Sequence, residues 1–175
     1  MYRLTNPFIW LCRIRHRCGY GVHSPYAFRF IVDVIYERLP YYAYRQLDKT
    51  LPLKDRFRIQ KVLHLLFRIS NWRQPSTIAC LSNSSNVERY LRAGCQKAMI
   101  TKYIQETKLD LCWLDEPNDE VVSHLHEQSV LILDHLNKHK EWFVHLPSVV
   151  SFDLYDVGIA FFDTKYNKQH YIVNF

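Results

Sequence analysis

The sequence has no CxxC pair, no long hydrophobic run, no internal repeat and no low-complexity tract. Its five cysteines, Cys12, Cys18, Cys80, Cys95 and Cys112, form an odd set without paired spacing. That pattern sets aside a disulfide framework and a zinc knuckle, and it fits a reducing compartment. The apolar stretch from Pro7 to Cys12 is too short for a signal-peptide core or a membrane span. A cytoplasmic protein without a transmembrane segment is therefore expected. Phe8, Ile9 and Trp10 beside Arg13, Arg15 and Arg17 also make a basic amphipathic segment of the kind that lies on anionic membranes.

Glycine is missing where it would be most informative. The stretch STIACLSNSSNVERYLRAG, residues 76–94, reads as a buried strand, a polar turn and a helix, the order with which many α/β enzymes begin a nucleotide or cofactor site. Ser82, Asn83, Ser84, Ser85 and Asn86 fill the turn, and Gly94 comes only at the expected helix end.

What is present suits one α/β domain. The chain has 175 residues, 48% of them hydrophobic, enough for one full core. Residues 1–73 carry fourteen Lys and Arg against four Asp and Glu, a net +10, whereas residues 74–175 carry nine against thirteen, a net −4. An anionic partner, nucleic acid included, would be sought on the basic half, although a solvated basic face accounts for the same composition. Tyr41, Tyr42 and Tyr44 beside Arg38, Arg45 and Lys49 would suit stacking on a single strand. No RNP-like or helix-turn-helix pattern accompanies them.

The periodicity predicts a helix capped by Ser24, with Pro25 in its first turn and Phe28, Ile31, Val32, Ile35 and Leu39 on its buried face. Pro40 ends it. A second helix is expected from about Asp55 to Ser70, burying Phe57, Val62, Leu63, Leu66 and Ile69. These form an N-terminal helical layer over 1–73, packed as one domain with a core over 74–175. In the core, apolar runs at Thr77–Leu81, Ala98–Tyr103, Leu109–Leu114 and Val130–Asp134 suit strands of a mostly parallel sheet. Only Ile104 to Lys108 separates the second run from the third, too little for a usual parallel crossover, so those strands form a hairpin, are not neighbours, or have lost a crossover. The end of the chain is expected to close as an antiparallel meander.

Taken together, GVHSPYAFRFIVDVI, LLFRISNWRQPSTI, LDLCWLD, SVLILDH and DVGIAFFDTKYNKQHYIVNF resemble a group of bacterial class I S-adenosylmethionine-dependent methyltransferases related to the O-methyltransferases. The resemblance runs from Gly21 to Phe175. It implies a reduced Rossmann-like fold with N-terminal helices and a C-terminal antiparallel hairpin of the GI.FF...KQHF type. It also implies that Ser82, Asn83, Asn86, Tyr103 and Asp115 stand at cofactor-facing positions.

The departures from the family pattern fall on those positions. Ser82 and Asn86 stand at or near family glycines, and Cys80 replaces an acidic residue. Asn83 or Asn86, tolerant of left-handed backbone, could keep the turn's path. Tyr103 stands where an acidic side chain would accept the ribose hydroxyls, with Glu106 a few residues late, and the short link replaces a strand and helix that wall the adenine. In the relatives, acidic residues such as Asp115 and Asp134 help hold a divalent metal; here His135 follows Asp134 directly. His139, four residues on, would share a helical face with His135, making Asp134, His135 and His139 a candidate metal set. Equally, Asp134 could cap a helix and the histidines be solvated.

Three functions follow as expectations: a methyltransferase-like pseudoenzyme with weakened or lost S-adenosylmethionine binding, an active O-methyltransferase with an atypical pocket, and a nucleic-acid-binding module. The methyl acceptor or protein partner is unspecified, and a homo-oligomer is left open. Cys112 beside Trp113 reads as core, Cys18 among arginines as a candidate redox-sensitive thiol, His23 as ordering the turn before Ser24 or, by the family resemblance, as a structural or substrate-side histidine at a lid, and His124 and His126 as surface residues.

Overall fold

A computed structural model describes residues 7–53, 56, 59–104 and 108–175, with residues 7–9 described by their backbone only. Asp55, Phe57, Glu106, the centre of the Ile104–Lys108 link and the side chains of Phe8 and Ile9 thus lie outside the described residues. The chain divides into two compact units, Met1–Gln74 with Ser84–Gln96 and Asn174–Phe175, and Pro75–Asn83 with Lys97–Val173.

The first unit is helical. It contains α1 (Pro7–Cys12), a 3-10 turn at Ile14–His16, α2 (Pro25–Phe30), α3 (Tyr42–Lys49), α4 (Gln60–Arg73) and α5 (Ser85–Gly94). The Ser24 hydroxyl accepts the Ala27 N–H at 3.4 Å, and Pro25 occupies the first turn, as the sequence predicts. Beyond Phe30 the helix widens into a π turn over Ile31–Ile35. The buried stripe is Ala27, Phe30, Ile31, Val34 and Ile35, while Phe28, Val32 and Leu39 are exposed. The segment is apolar on more than one side, and packing selects the face: the Phe30 ring stands edge-on to Trp72 at 5.3 Å.

α4 and α5 pack closely because Gly94 has no side chain. A Cβ there would stand 2.4 Å from the Phe67 carbonyl oxygen. The buried Ser70 hydroxyl donates to Leu91 O at 2.7 Å across the same contact. α4 ends at Gln74, which takes the left-handed conformation with φ of 49°.

The second unit is built on a seven-stranded, mostly parallel sheet, so the chain is α/β. Its strands are β1 (Thr77–Leu81), β2 (Met99–Thr101), β3 (Leu109–Leu114), β4 (Leu125–Asp134), β5 (Val150–Asp153), β6 (Val157–Phe161) and β7 (Gln169–Ile172), in the order β2-β1-β3-β4-β6-β5-β7. β1 pairs parallel with both β2 and β3, so β2 and β3 are not neighbours. Five of the six residues of β3 are buried, as a continuous apolar run in a parallel sheet requires. Two short helices, α6 (Asp119–Ser123) and α7 (Lys140–His145), complete the unit. Cys112, Leu131, Leu133, Phe143, Leu146 and Phe162 are part of its apolar core.

The chain's end differs from a meander. β6 inserts antiparallel between β4 and β5, forming a hairpin with β5, and β7 then runs parallel to β5 on its other side. The expected β6–β7 pairing does not form because β4 and β5 take both edges of β6, leaving β7 the outer edge of β5; a short turn with Leu154 N bonded to Val157 O at 2.9 Å joins β5 to β6. Gly158 makes room for Phe143, whose ring would lie 2.7 Å from a Cβ at that position.

Candidate functional site

Parallel sheets collect ligand groups at the carboxyl ends of strands where the order reverses. β1 is that point, since β2 continues on one side and β3 on the other. The strand ends bring Ser82, Asn83 and Asp115 together. Asp115 Oδ2 accepts the Ser82 hydroxyl at 2.9 Å and the Asn83 N–H at 3.2 Å. Its Oδ1 accepts the Trp113 indole N–H at 2.8 Å. Asp115 N–H in turn donates to Leu81 O at 3.3 Å, so side chain and backbone both tie the end of β3 to the end of β1.

This set of bonds uses the carboxylate internally. A carboxylate offers about four acceptor positions, and three are filled by the protein's own donors. The turn also lacks a glycine-like path. Among the described residues, the non-glycine positions with positive φ are Cys18, Gln74, His135 and Tyr155, so neither Asn83 nor Asn86 takes the left-handed conformation. Asn86 lies in the first turn of α5, where its Oδ1 accepts Arg89 Nη1 at 3.3 Å. Tyr103 is 80% exposed, and its backbone is bonded to Thr101 Oγ1. Cys80 is buried within β1. The described residues do not fit S-adenosylmethionine: three of the protein's own donors take the Asp115 carboxylate at the switch point, and Tyr103 stands in solvent.

The second predicted cluster forms in part. Asp134 ends β4 and is buried; its Oδ1 accepts the His135 N–H at 2.6 Å and its Oδ2 lies 3.3 Å from His135 Nδ1. His135 has a φ of 51°, and α7 begins only at Lys140 with His139 as its cap residue. The shared helical face expected of His135 and His139 is therefore not formed, because a tight turn with Lys138 N bonded to His135 O occupies that span. Among the described residues no three His, Cys, Asp or Glu side chains gather so as to hold a metal ion. This donor set does not fit one.

The tyrosine platform is likewise used internally. Tyr44 stacks on His64 at 3.8 Å, Tyr41 packs on Phe67 and donates to Glu37, and only Tyr42 is fully exposed.

Two carboxylates that sequence reasoning left aside organise each unit. In the first, Asp48 accepts from Gln60 Nε2 at 2.7 Å and from the Tyr90 hydroxyl, and lies 3.0 Å from His64 Nε2. Burial acts to raise the Asp48 pKa, but these hydrogen bonds and the His64 charge outweigh it and hold the carboxyl below its ordinary value. In the second, Asp110 accepts the Ser76 and Thr77 N–H groups at 2.7 and 3.1 Å and pairs with His126 at 2.9 Å. There too burial is outweighed by hydrogen bonds, and the pKa is lowered. His126 is thus half-buried and engaged rather than a surface residue. The spacing of these partners, 16 residues for both Asp–His pairs, carries no motif signal.

In comparison with known proteins, the chain matches no family model, no curated protein and no solved structure. Among the described residues no helix is long and apolar enough to cross a membrane.

Proposed function

We propose that the chain is a methyltransferase-like protein of reduced Rossmann-like fold that no longer binds S-adenosylmethionine and acts by binding rather than by methyl transfer. The strand order supports this reading. In the doubly wound order 3-2-1-4-5-6, removing the third strand leaves 2-1-4-5-6, whose first four strands have the order of β2, β1, β3 and β4 here. The position of the missing strand coincides with the link from Ile104 to Lys108, where the family resemblance places a further strand and helix.

The observation that carries the loss of cofactor binding is the Asp115 bond set. An acidic group at the switch point serves a ligand when its lone pairs face the crevice; here Ser82, Asn83 and Trp113 take them. Tyr103, neutral and exposed, offers no charged bidentate acceptor for ribose hydroxyls. Titration calorimetry with S-adenosylmethionine and S-adenosylhomocysteine tests the reading. We expect no saturable heat up to about 1 mM, the range in which only about −4 kcal/mol of binding free energy is available. A micromolar dissociation constant for either compound would overturn it.

A further inference from the structure

The first unit contains a cavity of about 240 Å³ whose wall includes four cations, Arg17, Arg38, Lys61 and Arg68, and one acidic side chain, Glu37. Arg68 is buried and fixed, donating from Nε to Val34 O at 2.6 Å and from Nη2 to Ile35 O at 3.0 Å. Carbonyl partners orient that guanidinium without neutralising it. Arg17 stands over the Trp10 ring at 5.4 Å and the Lys61 ammonium over the Phe175 ring at 4.2 Å. Ring faces position cations and leave their charge in place.

Glu37 offsets only one of these four charges. Both of its oxygens lie 2.9 Å from the Tyr41 hydroxyl, which donates to them. Among the described residues no carboxylate forms an ion pair with Arg17, Arg38 or Lys61. Loss of water, followed by the charges of Arg68 and Arg17, holds the Lys61 pKa below its ordinary value. Cations converging on one cavity repel each other at a cost that an entering anion removes.

We propose that this cleft binds a small phosphate monoester, with the phosphate between Lys61, Arg17 and Arg38 and the organic part against Trp10 and Phe175. The charge selects the class: four cations stand against the Glu37 side chain and the α-carboxylate of Phe175, an excess of two that a phosphate dianion offsets better than a carboxylate monoanion. Shape selects a small molecule over a polynucleotide. The cations line a cavity instead of a stripe, and Tyr41 and Tyr44, which would stack on bases, are packed inside the unit. The inference concerns a different site from the switch point and stands whether or not S-adenosylmethionine binds.

Calorimetry on the full chain with phenyl phosphate, inorganic phosphate and a single-stranded oligonucleotide tests it. We expect phenyl phosphate to bind with a dissociation constant on the order of 10–100 μM, about tenfold tighter than inorganic phosphate, because the ring adds apolar contact. Lys61→Met and Arg17→Ala should each weaken phenyl phosphate by about tenfold, the scale of one charged hydrogen bond. Arg45→Ala, outside the cleft, should leave it unchanged. Circular dichroism melts of all variants check that they fold, and Lys61→Arg should restore binding. Absence of phenyl phosphate binding at millimolar concentration overturns the proposal, as does an equal loss on Arg45→Ala. Tighter binding of the oligonucleotide, lost steeply with salt, would also overturn it in favour of nucleic acid.

Discussion

Arg68 Nε lies 2.6 Å from the carbonyl oxygen of Val34, 34 residues away in sequence, and its Nη2 lies 3.0 Å from Ile35 O. The π turn after α2 ends at these carbonyls, which have no further helical turn to receive them. A buried guanidinium supplies both donors and places a positive charge at a helix C-terminus, where the dipole favours it. Arg68→Ala should lower the unfolding free energy by about 3 kcal/mol, since it leaves buried carbonyls without partners. Arg68→Lys should recover only part of this, because an ammonium lacks the planar fork. Urea denaturation measures both; an alanine variant as stable as the wild type would remove the capping role.

The acid response of the first unit should follow Asp48. Its folded pKa lies below the ordinary value, so in acid the unfolded chain binds more protons than the folded one. The stability it contributes is therefore complete above about pH 5 and lost as pH falls through the folded pKa. Asp48→Asn should cost about 2 kcal/mol at pH 7, where Tyr90, His64 and Gln60 lose a charged acceptor. The difference from wild type should shrink towards pH 2. Denaturation midpoints across pH 2–8 test this, and a constant difference would exclude the carboxylate as its source.

None of the five cysteines forms a disulfide; Cys12 and Cys18 are exposed and Cys80, Cys95 and Cys112 buried. Burial pushes the Cys112 thiol up to about 12, so it supplies little thiolate near neutral pH. Alkylation of the native protein at pH 7.5 should label two thiols rapidly, with the other three reacting only on denaturation. Mass spectrometry reads the count, and fast labelling of Cys112 would contradict its place in the core.

Much of the sheet is legible in the sequence because its strands are buried on both faces and read as short apolar runs. Thr77–Leu81 and Leu109–Leu114 form as expected. The pairing of the last three strands is not legible: Val150, Ile159 and Tyr171 sit in similar apolar runs, and the sequence does not show that β6 lies between β4 and β5 with β7 outside β5. The face of α2 is obscured for a related reason, since Phe28 and Phe30 are equally apolar and tertiary contact with Trp72 selects between them. At the candidate site the sequence indicates that Ser82, Asn83 and Asp115 lie at strand ends. It gives no sign that they bond to one another across 32 and 33 residues. The cationic cleft draws on Arg17, Arg38, Lys61 and Arg68, which composition registers only as net charge.

Asp115 separates a ligand-binding role from a structural one. Groups held ready for a ligand are commonly strained or underpartnered, and their removal tends to be neutral or stabilising. A carboxylate that joins the ends of two strands behaves in the opposite way. Asp115→Ala removes the acceptor for the Ser82 hydroxyl, the Asn83 amide and the Trp113 indole together. We expect a loss of about 2–3 kcal/mol in unfolding free energy. Hydrogen exchange at the Asn83 amide should quicken, and Trp113 fluorescence should shift as its indole N–H loses its partner. Asp115→Asn keeps an acceptor oxygen and should recover part of the loss. If Asp115→Ala is neutral or stabilising, the carboxylate is not the clasp between β1 and β3, and its availability to a ligand returns to consideration.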